Sequence, residues 1–80
     1  MNLTINTYAI LKEYFEPRFE LQIENEFTID ALKKELTNLK PEASGIINSC
    51  RFAIRDSFID DNTILKEKND VHIIPPSSGG

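Results

Sequence analysis

Asp70-Val71-His72-Ile73-Ile74-Pro75-Pro76-Ser77-Ser78-Gly79-Gly80 is the stretch on which the reading of this chain turns. Val71 to Ile74 reads as a strand. Pro75 and Pro76 end it, since neither has an amide proton to give a ladder. Two prolines in a row favour an extended, polyproline-like stem. Ser77, Ser78, Gly79 and Gly80 offer almost nothing to bury and read as a flexible tip. The expectation is therefore a domain over residues 1–76 and a flexible tail over 77–80. Gly79 and Gly80 lack Cβ atoms, so such a tail could enter a narrow slot and leave its last carboxyl carbon open to a nucleophile or a phosphate. The expected reactive group is the α-carboxylate of Gly80, with no side chain involved. The plainer alternative is a frayed terminus of no consequence.

Working outward, the rest of the chain mixes strands and helices. Leu3-Thr4-Ile5-Asn6 alternates apolar and polar residues, the period of a half-buried strand. Ala9 to Phe15 places Ile10, Leu11, Tyr14 and Phe15 at helical spacing, and Pro17 closes it. Arg18 to Glu24 alternates again, with Phe19, Leu21 and Ile23 on one side, and predicts a strand antiparallel to the first. Thr28 is placed to cap a helix, and Phe27 and Leu32 suit a hydrophobic staple. Asp30 sits in the first turn, where the helix dipole favours an anion. Ile29, Leu32, Leu36 and Leu39 form the apolar stripe, Lys33, Lys34 and Glu35 face water, and Pro41 stops the helix. Gly45 is expected to break the next stretch, with Ile46 and Ile47 tucked in. Arg51 to Arg55 reads as a strand with Phe52 and Ile54 inward. Asp56-Ser57 turns it into Phe58-Ile59, a polar turn follows at Asp60-Asp61-Asn62, and Ile64-Leu65 packs briefly.

Helices on one face of a mixed sheet is the arrangement this order suggests. The first and last strands both reach for the core, so they are expected side by side and parallel at the sheet centre. That is an α+β fold of the β-grasp, or ubiquitin-like, kind.

Composition excludes much chemistry. Eighty residues make one small domain with a thin core. Such a chain buries only about 60% of its unfolded surface. One Cys and one His cannot make a zinc site of four such ligands, and no metal is expected. A single thiol fits a reducing cytoplasm. There is no apolar run near the ~18 residues of a membrane span and no secretory signal pattern. Thirteen acids against nine bases give a net charge of −4, with no basic run longer than Lys33-Lys34, which disfavours nucleic acid. No phosphate loop and no nucleophilic triad is present. Cys50, between Ile47 and Phe52, reads as a small buried hydrophobe. His72 alternates with Val71 and Ile73 and is expected on the sheet face away from the helices. Ile74 shares that face, and with Tyr8 and Phe58 it could form an exposed apolar patch beside the tail, the mark of a partner site.

The run Asp70 to Pro76 followed by Gly79-Gly80 resembles the C-terminal signature of the small, sulfur-carrying subunit of molybdopterin synthase. Tyr8-Ala9 with Lys12-Glu13, and Phe27-Thr28-Ile29 before Leu32, are similar to that family's corresponding segments. Ile54-Arg55-Asp56, Lys68-Asn69-Asp70 and Ser77 depart from its usual residues. The resemblance implies a carrier that binds no cofactor of its own. An ubiquitin-activating-like adenylyltransferase, using ATP and Mg²⁺, would join AMP to Gly80, and a sulfur donor protein would then supply sulfur to give a thiocarboxylate. The tail, Pro75 to Gly80, would insert into the large subunit of a heterotetrameric synthase, which would also contact Tyr8, Phe58 and Ile74. There the sulfur would pass to a pterin precursor to form a dithiolene. The catalytic bases would be the large subunit's. A carrier for thiazole or amino-acid synthesis, a ubiquitin-like protein modifier, and a plain interaction domain stay open as alternatives.

Overall fold

The computed structural model describes residues 1–24 and 27–76. Among these residues seven strands and two α-helices follow one another: β1 (Asn2–Thr7), β2 (Arg18–Gln22), β3 (Phe27–Thr28), α1 (Ile29–Leu39), α2 (Ser44–Ser49), β4 (Arg51–Ile54), β5 (Ser57–Ile59), β6 (Ile64–Leu65) and β7 (Asp70–Ile74). Short 3₁₀ segments lie at Ala9–Glu13 and Pro41–Ala43.

The main sheet runs β2-β1-β7-β4-β5. Strand β7 lies at its centre, parallel to β1 and antiparallel to β4. The expected pairing of first and last strands is thus present, as is the antiparallel β1–β2 hairpin. Registers Ile5↔Val71 and Phe52↔Ile73 turn the apolar alternates of three strands to one face. Leu3, Ile5, Val71, Ile73 and Phe52 there meet Ile29, Leu32 and Leu36 of α1 and Ile47 of α2 in one core. Burying each large aliphatic side chain contributes about 1.5–3 kcal/mol, so this single layer carries most of the fold's stability. The architecture is the β-grasp, ubiquitin-like one.

Helix α1 starts where its cap dictates. The Thr28 hydroxyl accepts from the Ala31 amide at 3.1 Å, satisfying one orphan donor. Asp30 pairs with Lys34 one turn on. The helix ends at Leu39, and Pro41 begins the next turn instead of extending this one.

Several local expectations are corrected. Ala9–Glu13 is a 3₁₀ segment entered through Ala9 at φ 54°, and only Leu11 reaches the core while Ile10 stays exposed. Strand β2 stops at Gln22, although Ile23 is still buried. Gly45 breaks nothing: it lies inside α2, whose buried residue is Ile47, with the buried Ala43 and Cys50 flanking the helix at its two ends. Leu39, at the C-terminal end of the α1 stripe, is half exposed. Lys33 does not face water freely. Its ammonium sits 2.7 Å from Asp61 and over the Phe52 ring. Arg55, at φ 59°, forms the β4–β5 turn with Asp56, and Ser57 already belongs to β5. Ile54 is only half buried, whereas its neighbour Ala53 is buried on the opposite face. The pair β3–β6 forms a separate two-stranded sheet.

Candidate functional site

The tail springs from the best-anchored strand. Because β7 is flanked by β1 and β4, Ile74 is held in register with Arg51 right up to the strand's end. Pro75 is half buried and Pro76 exposed, so the polypeptide leaves the sheet there. Ser77, Ser78, Gly79 and Gly80 lie outside the described residues.

The face of the sheet away from the helices is open, and its residues follow from strand parity. Asn6 and His72 pair across β1 and β7, His72 and Ala53 across β7 and β4, and Ala53 and Phe58 across β4 and β5. The Tyr8 hydroxyl lies 2.7 Å from His72 Nδ1, and the two rings stack with centroids 5.9 Å apart. With Nδ1 unprotonated the hydroxyl donates to it. Asn6 is buried and fully used: its amide donates to Asp70 and to the Val71 carbonyl, and its oxygen accepts from Arg18 at 3.4 Å. The Arg51 guanidinium rests 3.9 Å from the centre of the Phe58 ring. An open hollow of about 470 Å³ is lined by Tyr8, Ala53, Arg55, Asp56, His72 and Ile74.

Of the expected patch, Tyr8 and Ile74 meet in this hollow, while Phe58 lies one strand further out beneath Arg51. Tyr8 is 42% and Phe58 55% exposed, and Ile74 is half buried. His72 faces the same side, as its alternation predicts. Ala53, Arg51 and Arg55 were not singled out by sequence. Part of their signal was present: Arg51 and Ala53 of one strand share a face, whereas Arg55 is brought there by the turn that follows.

Cys50 is a core residue. Its thiol donates to the Ile46 carbonyl at 3.1 Å. Burial pushes its pKa up from 9.0 to about 11, against a smaller lowering by Lys33, so the thiol is a poor nucleophile near neutrality. Among the described residues, no cluster of three His, Cys, Asp or Glu side chains could hold a metal ion. No helix among them is long and apolar enough to cross a membrane.

Comparison with known proteins places this geometry in a family. A sequence model described as the ThiS family matches residues 5–80. No curated protein sequence matches. Solved structures share the fold at low identity. Small archaeal modifier protein 1 from Haloferax volcanii superposes with a TM-score of 0.82 at 13% identity, covering 100% of both chains. The protein of the same name from Methanosarcina acetivorans gives 0.79 at 22%, covering 99% of this chain and 96% of that one. A structure of subunits 1 and 2 of the molybdopterin-converting factor from Helicobacter pylori contains a chain that gives 0.71 at 23%, with 100% of each chain covered.

Proposed function

This chain belongs to the ThiS family, and from that premise we propose that it is the sulfur carrier of a molybdopterin synthase, with the carboxyl group of Gly80 as the site of chemistry. The observation that carries the reading is the extent of the family match, which runs through the closing Gly79-Gly80. The rooting of β7 at the sheet centre supports it, because a stiff stem on a fixed root can present a short tail to an enzyme. The two-subunit complex named for the Helicobacter pylori relative supports a large-subunit partner.

A carboxylate does not react with a sulfur nucleophile, so it must first be activated. In the proposed sequence, a Gly80 oxygen attacks the α-phosphorus of Mg·ATP on a separate adenylyltransferase. Pyrophosphate leaves and an acyl-adenylate forms. A hydrosulfide ion supplied by a sulfur donor protein then attacks the carbonyl carbon, the C–O bond to AMP breaks, AMP departs with the electron pair, and the thioacid loses its proton. The product is a thiocarboxylate at Gly80. The absence of side chains on Gly79 and Gly80 keeps that carbonyl approachable on both steps. In the synthase the thiocarboxylate sulfur would attack a carbon of the pterin precursor and displace an oxygen leaving group, and water would then cleave the acyl–sulfur bond and return Gly80 as a carboxylate, with bases supplied by the large subunit. Two such deliveries complete a dithiolene. Tyr8, Phe58 and Ile74 would contact the large subunit, and Pro75 to Gly80 would enter its pocket.

Intact-mass spectrometry tests the first half. Incubated with its adenylyltransferase, ATP, Mg²⁺ and a sulfur donor, the chain is expected to exchange one oxygen for one sulfur. A chain lacking Gly79 and Gly80 is expected to show no exchange while keeping its fold. The named relatives that are modifier proteins favour a second reading, attachment of Gly80 to lysines of other proteins. Adducts on lysines in place of a thiocarboxylate would select it. Sulfur exchange without co-purification of a large synthase subunit would select a carrier for thiazole or amino-acid synthesis.

A further inference from the structure

The main sheet ends in two unlike edges. Strand β5 is three residues long and offers little length to pair with. Strand β2 is five residues long and keeps an unbroken register with β1, with no bulge to twist its outer edge away. The ladder decides which of its backbone groups are free. The Thr7 amide donates to the Pro17 carbonyl at 2.9 Å and the Ile23 amide to the Met1 carbonyl at 2.8 Å, so the odd-numbered residues of this segment aim their backbone at β1. Antiparallel pairs alternate, and Arg18, Glu20 and Gln22 therefore turn their amides and carbonyls outward. Pro17, whose missing amide could have blunted the edge, has the inward parity and takes nothing from the outer row. Among the described residues no strand pairs with that row.

The side chains along this edge complement themselves. Arg18 and Glu20 are exposed, and neither is in an ion pair among the described residues; Arg18 makes only a 3.4 Å contact with Asn6. Between them Phe19 turns to the helix side, where it stacks on Phe15 with centroids 5.9 Å apart. With Tyr14 and the half-exposed Leu39 these rings form the apolar part of an open groove of about 540 Å³, completed by Glu16 and Lys40. A second copy laid antiparallel about a two-fold axis at Phe19 sets Arg18 of each copy opposite Glu20 of the other and Phe19 opposite Phe19. An axis at Glu20 would oppose like charges, and one at Leu21 would leave Glu20 facing Gln22. We propose that two copies of this chain pair along the outer edge of β2 in the Phe19-centred register, joining their five-stranded sheets into one and covering the aromatic groove. Strand β1 stands between this edge and β7, so the pairing leaves the root of the tail alone and does not rest on the carrier reading.

The test is sedimentation equilibrium of the full chain loaded from about 10 µM to about 1 mM, with amide hydrogen exchange across the same range. Two copies of net charge −4 repel at long range, so the expected Kd is about 100 µM, with the mean mass rising from one chain towards two. The Arg18, Glu20 and Gln22 amides are expected to exchange freely in the dilute sample and to slow with concentration, whereas those of Phe19 and Leu21 are protected throughout. Arg18→Glu and Glu20→Arg each set like charges opposite one another, and each variant alone is expected to stay a single chain. Mixed in equal amounts, the two variants regain opposite charges at both crossings and are expected to associate at least as tightly as the parent chain. A single chain at every concentration overturns the proposal, as do association that survives either substitution, a mixture that stays apart, and protection that appears elsewhere than on β2. The exchange measurement on the unsubstituted chain stands whether or not the variants fold.

Discussion

Strand β7 carries two different surfaces on alternate residues. Val71 and Ile73 are 0% and 1% exposed and lock the sheet to its helices. Asp70, His72 and Ile74 of the same strand are only half buried, on a face that no described helix or strand covers. The packed face is nearly all aliphatic and has one job, stability. The open face mixes aromatic rings, arginines and a small-residue floor, a composition that does little for the isolated fold. A chain this small has little stability to spare, so the contrast indicates where change is tolerated and where it is not.

Neighbouring residues give the sharpest way to break that contrast. Ile73→Ala is expected to lower unfolding free energy by about 2–5 kcal/mol in chemical denaturation, because it hollows a closed core. Ile74→Ala should cost well under half as much. Equal losses would mean that both faces support the fold. The core also sets a pH limit. The raised pKa of Cys50 keeps the folded-state thiol protonated where the unfolded one ionises. Its contribution is whole below about pH 9 and is lost as pH climbs towards 11, a decline of order 2 kcal/mol. Cys50→Ala should flatten that part of a stability-versus-pH curve, read by urea melts across the window.

The open face should respond in the opposite sense. Phe58→Ala is expected to leave the melting midpoint nearly unchanged and, if the proposed large-subunit partner docks on this face, to weaken its binding by about tenfold in calorimetric titration. At the helix, Thr28→Ala removes the cap and should cost about 1 kcal/mol, visible as a lower urea midpoint at constant slope. Leu39→Ser should change stability by less than about 0.5 kcal/mol, although a helical wheel puts Leu39 on the apolar stripe. A larger loss would extend the packed face to the end of α1.

These contrasts also explain what could be read from sequence. Period-two alternation exposed β1, β2 and β7 because each strand turns alternate residues toward the core, fully buried in β1 and β7 and half buried in edge strand β2. Thr28, Asp30 and Pro41 mark α1 because capping, dipole and missing amide are local effects. Gly45 misled because a glycine penalises a helix by only about 1 kcal/mol, less than burying Ile47 recovers. Lys33 misled because its partner Asp61 lies in a distant turn that no helical period can reveal. The pair β3–β6 has two residues per strand, too short for any period to register. The candidate patch was legible in part: alternation placed Ile74 outward beside His72, whereas no period fixed Tyr8 or Phe58. The hollow was not, since its floor and rim come from β4 and the turn after it and depend on strand order.

The position of β7 has a mechanical consequence. A partner that drags on the stem beyond Ile74 pulls along the strand axis, and β7 is bonded to β1 on one side and β4 on the other. The strand cannot peel away one bond at a time, as an edge strand would. It must slide against both neighbours at once, breaking two rows of bonds together. Traction applied beyond Ile74 is therefore met by the stiffest direction of the sheet, and the body resists it without unravelling strand by strand.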